Sequence, residues 1–328
     1  MRTPVALIIF NRPDQTERVF AEIARARPQK LFVIADGPRA DRPDDETTCA
    51  AARAIINRVD WPCEVVKNYA TVNLGCGHRP ATGLTWLFEQ VEEAIVLEDD
   101  CVPHQSFFHY CDDLLEHYRH DERVMHISGD NFIPCGDDAA DYGFSYYPVS
   151  WGWATWRRAF KYYDPYIKLW PVLRHTTWLQ ELLVNAEAVE YWTKVFDKAC
   201  VQGDKHGYWD YQWLFACWAQ RGLSIVPRVN LVSNIGYGDH GTHTRTVDDQ
   251  RGNVRTGEMM FPLKHPPCML RLREGDDAIF KVVVKPDRPF RLRHQIYRVA
   301  ATLPTPLRDS IRGVRSKLTP RRAPSTDG

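Results

Sequence analysis

Glu98, Asp99 and Asp100 stand in a row directly after the apolar residues 94–97, in the stretch EEAIVLEDDCVPHQSFF. A short apolar run bounded by polar residues reads as a buried strand, so three acids fall at its tip. Carboxylate oxygens suit hard divalent cations such as Mg2+ and Mn2+. A cation beside a sheet edge in turn suits a diphosphate, whose charge grows as it leaves. Capping the helix expected near His104 is the plainer use of these acids, but one acid could do that. Arg12 and Asp36 repeat the pattern, each following an apolar run, residues 5–10 and 31–35. Arg12 suits an anionic ligand; its plainer use is an ion pair with Asp14 or the acids of 41–46.

The elements that must position these groups alternate regularly. Apolar runs predict strands over 5–10, 31–35, 64–67 and 94–97. Between them, helical spacing places Val19, Phe20 and Ile23 on one side of 13–26, and Ala51, Ala54, Ile55 and Ile56 together within 44–59. The end of a third helix covers 84–91. Such alternation makes a mostly parallel sheet covered on both faces, and ligands bind outside the carboxyl ends of its strands. Farther on, strands are expected at 124–128 and 223–226, helices at 177–199 and 209–221, and a Gly-rich loop at 233–244.

Composition bounds the class. The chain has 328 residues, 44% of them hydrophobic, enough for one large core. No run approaches the ~18 apolar residues of a membrane span. Only six consecutive apolar residues open the chain, too few for a signal peptide. Nine cysteines without a CxxC pair do not make a disulfide or zinc framework. A cytoplasmic protein, peripheral on the inner face of the membrane, is the expectation. Formal charge is zero but unevenly spread: from Lys281 to Gly328 twelve Lys and Arg face three acids, so this segment carries +9. Within it Leu292, Ile296, Val299, Ala300 and Leu303 share one helical face opposite Arg291, His294, Gln295 and Arg298. Basic amphipathic helices bind anionic membrane surfaces; packing on an acidic body is the other use of such a segment. Nothing suggests a nucleic-acid partner.

Short motifs recur in a telling order: FNR (10–12), ADG (35–37), GHR (77–79) before a helix, the acidic stretch with its Pro103 and paired Phe107 and Phe108, HISGDN (126–131), a Gly-Trp pair (152–153), YWD (208–210) and GTH (241–243). In this order, from residue 4 to about 244, the chain resembles the nucleotide-sugar glycosyltransferases of the GT-A fold. It is most similar to the N-acetylglucosaminyltransferase I-like group, with family 2-like bacterial enzymes next nearest. The resemblance implies an α/β, Rossmann-like, mostly parallel sheet with helices on both faces. The expected organisation is a catalytic domain over 1–250 (nucleotide-sugar half 1–103, acceptor half 104–250), a connecting segment over 251–287 and a basic helical tail over 288–328.

It also implies roles. Asp36 would bind the uracil, and Arg12 and His78 the UDP. Glu98 and Asp99 would bind sugar and ribose hydroxyls. Asp100 would ligate a Mn2+ or Mg2+ on the diphosphate, with His243 as a possible second ligand. Asp210 would be the catalytic base of an inverting transfer. Read from the residues themselves, Asp130 is the rival base and a candidate acceptor contact, and Trp153 and Trp209 suit either an acceptor platform or the core. The implied donor is a UDP-sugar, UDP-N-acetylglucosamine being the resemblance's suggestion. The acceptor would be a glycan or lipid-linked hydroxyl in polysaccharide or lipopolysaccharide synthesis. Two other classes remain: a sugar-nucleotide pyrophosphorylase, and a non-enzymatic binding protein. The first usually carries a Gly-rich phosphate loop after the first strand, where FNRPDQTER has no glycine. The second would be expected to lose Asp100 or Asp210.

Overall fold

The computed structural model describes residues 1–132, 140–236, 252–271 and 273–284. The strands are β1 Val5–Ile9, β2 Lys30–Ala35, β3 Glu64–Tyr69, β4 Glu93–Glu98, β5 Cys101–Pro103, β6 Val124–Ser128, β7 Tyr142–Ser145, β8 Trp153–Trp156, β9 Leu223–Pro227 and β10 Val232–Asn234. The longer helices of the first half are α1 Pro13–Ala26, α2 Asp44–Ile55, α3 Gly75–Phe88 and α4 Gln105–His117. Three short ones follow, α5 Arg157–Phe160, α6 Trp170–Leu173 and α7 Trp178–Leu183. Then come α8 Ala186–Gln202, α9 Asp210–Ala219 and α10 Arg273–Ile279.

Eight strands form one sheet in the order β3-β2-β1-β4-β8-β6-β9-β7, and β10 pairs with β5 in a second, two-stranded sheet. β1, β2, β3 and β4 are parallel neighbours, while β8 runs antiparallel between β4 and β6. The expected α/β class, a mostly parallel sheet with helices on both faces, is what the chain adopts.

Strand periodicity explains the two cores. Alternate side chains of a strand point to opposite faces. Val5, Leu7 and Ile9 therefore join Val19, Phe20 and Ile23 of α1, and Phe107 and Leu114 of α4, in one cluster. Ala6 and Ile8 join Leu84 and Leu87 of α3 and Trp213 of α9 in the other. Because both faces are covered, the strands read as continuous apolar runs rather than alternating ones.

Two boundaries differ from expectation. α3 begins at Gly75 and runs through Pro80, so His78 lies within the helix rather than before it. Pro80 removes only the bond that its N–H would give Cys76, one turn from the helix start, a modest loss. The segment expected as a connection, 251–287, contributes Met259, Leu263, Ile279 and Phe280 to the buried interior, and Met1–Val283 is one compact unit. The tail from 288 onward lies outside the described residues.

Arg271 and Asp276 fasten this later segment to the sheet edge. Residue 271 bridges Phe144 of the edge strand β7. Asp276, 3% exposed, pairs with Arg271 and accepts hydrogen bonds from Ser145 Oγ at 2.6 Å and Tyr146 N at 3.2 Å. The Arg271 guanidinium lies over the Tyr146 ring, 3.9 Å from its centroid. Removing one partner of a buried pair strands the other charge, at about 3–5 kcal/mol. Asp276→Ala should therefore lower the unfolding free energy by about 3 kcal/mol in urea titration, and Asp276→Asn, which also strands Arg271 but keeps an acceptor for Ser145 and Tyr146, by less. An alanine variant within about 1 kcal/mol of wild type would show that 271–284 does not brace the edge.

Candidate functional site

The chain runs β1, β2, β3 outward in one direction, then returns to place β4 on the other side of β1. The crevice between β1 and β4 is thus a topological switch point, where open α/β sheets bind ligands. Arg12 leaves the end of β1 and the acid triplet leaves the end of β4. Pro13 at the first helical position and Thr16, whose N and Oγ1 donate to the Arg12 carbonyl at 2.9 and 2.8 Å, fix the Arg12 backbone.

Arg12 Nη1 donates to Asp100 Oδ2 at 2.9 Å and lies 3.4 Å from Asp99 Oδ1. Asp99 Oδ2 also accepts from Phe10 N at 3.2 Å, which ties the two strand ends together. Of the two uses foreseen for Arg12, the ion pair is formed, but with Asp99 and Asp100 rather than with nearby acids. Burial raises the pKa of Glu98 above the usual carboxylate range, and the charges of Asp100, Asp99 and Asp210 raise it further. Asp99 is raised too, by burial first, with Arg12 opposing.

Asp100 is held from its other side by β10. Ile235 N donates to the Asp100 carbonyl at 2.8 Å. A Cβ at Gly236 would stand 2.0 Å from Asp100 Oδ2, so only glycine leaves that carboxylate in place. Sequence reading missed Gly236, although its Gly-rich neighbourhood was visible.

Asp36 is already fully engaged. Its Oδ1 accepts from Gly37 N and Leu74 N, both at 2.8 Å, and its Oδ2 from Asn73 Nδ2 and Gly75 N, both at 2.9 Å. Four donors exhaust a carboxylate's acceptor sites. Asp36, expected at the uracil, organises the loop that opens α3. Arg79, which sequence reading passed over, donates from Nε to the Ala35 carbonyl at 3.1 Å and from Nη2 to Asn68 Oδ1 at 2.9 Å, seating α3 on β2 and β3. His78 is half-buried on the same helix.

Asp210 begins α9. Burial raises its carboxyl to about 6 against the opposing backbone N–H groups of Asp210 and Tyr211. Cys76 of α3, whose thiol feels both Glu98 and Asp210, donates to the Gly207 carbonyl at 3.0 Å and links the two rims. Aromatic packing holds α9 against α8, with Phe196 and Phe215 centroids 5.0 Å apart and Trp192 and Trp218 5.2 Å apart. Asp130 follows β6 on the same rim but is 2% exposed. Its Oδ2 accepts from Trp151 N at 3.2 Å, and its Oδ1 is buried with no partner among the described residues. Burial pushes this carboxyl well above the usual range.

Of the platform and core uses open to the tryptophans, Trp153 and Trp209 take the core one. Trp153 is 0% and Trp209 5% exposed, stacked with centroids 5.6 Å apart. Trp153 also stacks on His126, 5.0 Å away, whose Nδ1 accepts from Trp213 Nε1 at 3.1 Å. These rings fill the core beneath the rim and present no face to a sugar. Trp151 alone of that motif is half-buried, edge-on to Phe132 at 5.2 Å. His243 lies outside the described residues.

Among the described residues no three His, Cys, Asp or Glu side chains form a ready-made metal cage. The donor set nonetheless fits a hard cation that brings its own oxygen ligands. Glu98 feels the charges of Asp99, Asp100 and Asp210, and among the described residues Arg12 is the cation ion-paired with this group; that surplus of carboxylates favours oxygen-coordinated divalent ions.

No family model matches the chain, and no curated protein matches it in sequence. Among solved structures it is similar to a 4-diphosphocytidyl-2C-methyl-D-erythritol synthase from Anaerococcus prevotii, at 12% identity and TM-score 0.30, over 48% of this chain and 72% of that one. A mouse xyloside xylosyltransferase 1 gives 13% and 0.31 over 65% and 81%. A UDP-glucose pyrophosphorylase complexed with UDP-glucose gives 11% and 0.26 over 44% and 63%. At these levels the likenesses identify neither family nor activity.

The raised Asp210 carboxyl carries a stability consequence. Its pKa is about 6 folded against about 3.9 unfolded, so the folded state binds the extra proton. That contribution is complete below the unfolded value and is lost as pH rises through about 6. Asp210→Asn, which cannot ionise, should gain about 2–3 kcal/mol on wild type between pH 4 and pH 8. Urea melts across that range measure it; a pH-independent difference would contradict the burial described.

Proposed function

We propose that this protein is an inverting glycosyltransferase moving a sugar from a UDP-sugar to the hydroxyl of a glycan or lipid-linked acceptor. One observation carries the reading: a half-buried carboxyl with a pKa of about 6, Asp210, shares a rim with the Arg12–Asp99–Asp100 cluster at the sheet's switch point. A base poised near the working pH is what deprotonating a hydroxyl during attack requires. The acceptor oxygen bonds the anomeric carbon from the face opposite the diphosphate. The bond from that carbon to the diphosphate oxygen breaks, UDP leaves with the electron pair, and the acceptor's proton passes to Asp210.

Asp100 would hold a Mn2+ or Mg2+, which when bound neutralises charge on the leaving diphosphate. Arg12 Nη1 lies 2.9 Å from Asp100 Oδ2 and would add positive charge on that side. Glu98 and Asp99 offer carboxyl groups to sugar and ribose hydroxyls. Asp130 suits the role of base less well, because a carboxyl kept protonated by burial cannot accept a proton. UDP-N-acetylglucosamine is the first donor to try, on the resemblance in sequence.

Asp210→Asn should reduce turnover of UDP-sugar, including its slow hydrolysis by water, by roughly 10²–10⁴-fold while leaving UDP affinity near wild type. Asp130→Asn mimics an acid already neutral and should keep turnover within about tenfold. A reversed order of the two variants would move the base to Asp130. Formation of UTP from UDP-sugar and pyrophosphate would instead identify a pyrophosphorylase, and UDP-sugar binding without turnover a binding protein.

Asp100→Ala should remove the dependence of UDP affinity on Mn2+. Saturating ligand at about 100 times Kd stabilises a fold by about 2.7 kcal/mol. The thermal shift with UDP should therefore need Mn2+ in the wild type and be absent in the variant. An identical Mn2+ dependence in both would overturn the assignment of Asp100.

A further inference from the structure

The segment RRAFKYYDPYIKLWPVLRH, residues 157–175, divides its apolar residues between two faces. Phe160, Ile167 and Trp170 are buried, whereas Tyr162, Tyr166, Leu169 and Val172 are 42, 43, 46 and 66% exposed. Exposed single hydrophobics are ordinary; four within eleven residues are a patch.

The end of α8 extends that patch. Asp197 accepts from Trp170 Nε1 at 2.9 Å and from Arg174 Nε at 2.6 Å. Gly203 lies so close to Tyr166 that a Cβ there would stand 2.3 Å from its ring. Residues 166–174 therefore run along 197–203, which brings in Val201, 83% exposed. Lys161, Lys168, Arg174 and Lys198 are exposed in the same stretches. The Lys161 ammonium sits over the Tyr162 ring, 4.9 Å from its centroid. The two carboxylates among them are already occupied. Asp164 accepts from Tyr166 N and Lys168 N at 3.0 and 2.9 Å, and Asp197 holds Arg174. With Arg174 and Asp197 cancelling, Lys161, Lys168 and Lys198 outnumber Asp164, so positive charge dominates the patch.

We infer that this face, Tyr162, Tyr166, Leu169, Val172 and Val201 among Lys161, Lys168 and Lys198, seats the protein on an anionic lipid surface. Tyrosine at headgroup level, aliphatic side chains just below and lysines reaching for lipid phosphates are the composition of an interfacial anchor. The cores of protein interfaces are depleted in lysine, which disfavours a protein partner. The chain's own segment from Lys281 to Gly328 has the same sign of charge and is a poor electrostatic match for the patch. Gly203 precedes Asp210 by seven residues, so on the proposed transferase reading the chain runs from the patch directly to the helix that carries the base. A membrane-seated protein would then take its acceptor from the lipid surface.

Full-length protein should co-sediment with phosphatidylcholine vesicles containing 30 mol% phosphatidylglycerol (roughly the anionic fraction that gives a strong surface potential). It should release at high salt, as screening requires, and ignore pure phosphatidylcholine. Tyr166→Ser/Leu169→Ser/Val172→Ser and, separately, Lys161→Glu/Lys168→Glu/Lys198→Glu should each lower partitioning at least tenfold with melting temperature nearly unchanged. UDP-sugar hydrolysis without vesicles should be unchanged in both, so that readout tests the transferase reading independently. Variants that bind like wild type would assign membrane binding to the tail and overturn the inference, as would wild type that ignores anionic vesicles. A dimer that the same substitutions convert to monomer would make the face a self-association surface instead.

Discussion

The structure turns on an electrostatic imbalance held at one point of the sheet rim. Glu98 feels the charges of Asp99, Asp100 and Asp210, and Arg12 forms ion pairs with Asp99 and Asp100. Burial disfavours ionisation and raises Glu98, Asp99 and Asp210 alike, and neighbouring carboxylates add to it at Glu98 and Asp99. A fold tolerates such a cluster only where the surrounding backbone prevents it from spreading. Here β1 and β4 set its two sides by register, with Ile8 opposite Glu98, and the Phe10 N–H tethers Asp99.

The neighbouring loops are built around the same need. On one side Asp36 uses its whole carboxylate to hold 73–75, while Arg53 Nη2 bonds the Asp36 and Ala70 carbonyls at 2.8 and 2.7 Å. On the other, the short β5–β10 ladder fixes Asp100, and Gly236 admits the close approach of its carboxylate. Preorganised polar groups need little rearrangement when a charged ligand arrives, which is where much of catalytic stabilisation originates. The tryptophans do comparable service below the rim. Trp153 and Trp213 pack against a buried His126 that burial holds neutral, its pKa lowered to about 3, and Trp209 stacks on Trp153, so this aromatic layer carries no charge of its own.

Much of this was legible in the chain itself. The runs 5–10, 31–35 and 94–97 read as strands because burial on both faces demands unbroken apolar sequence, and their polar ends followed directly. Arg12, Asp36 and the acid triplet were therefore placed on one rim by local pattern alone, as was α1 by its spacing and its Pro13. What local pattern could not supply was the state of each side chain. Asp36 is saturated by Gly37 together with residues 37 to 39 positions later, Asp130 is buried with the Trp151 N–H as its donor, and Trp153 is covered by α9. Residues 252–284 carried no periodic signal, yet they brace the sheet edge through one buried ion pair. Periodicity reports which face of an element is buried. Whether a particular polar group there is free, spent or protonated depends on partners distant in sequence, and only the tertiary structure brings those together.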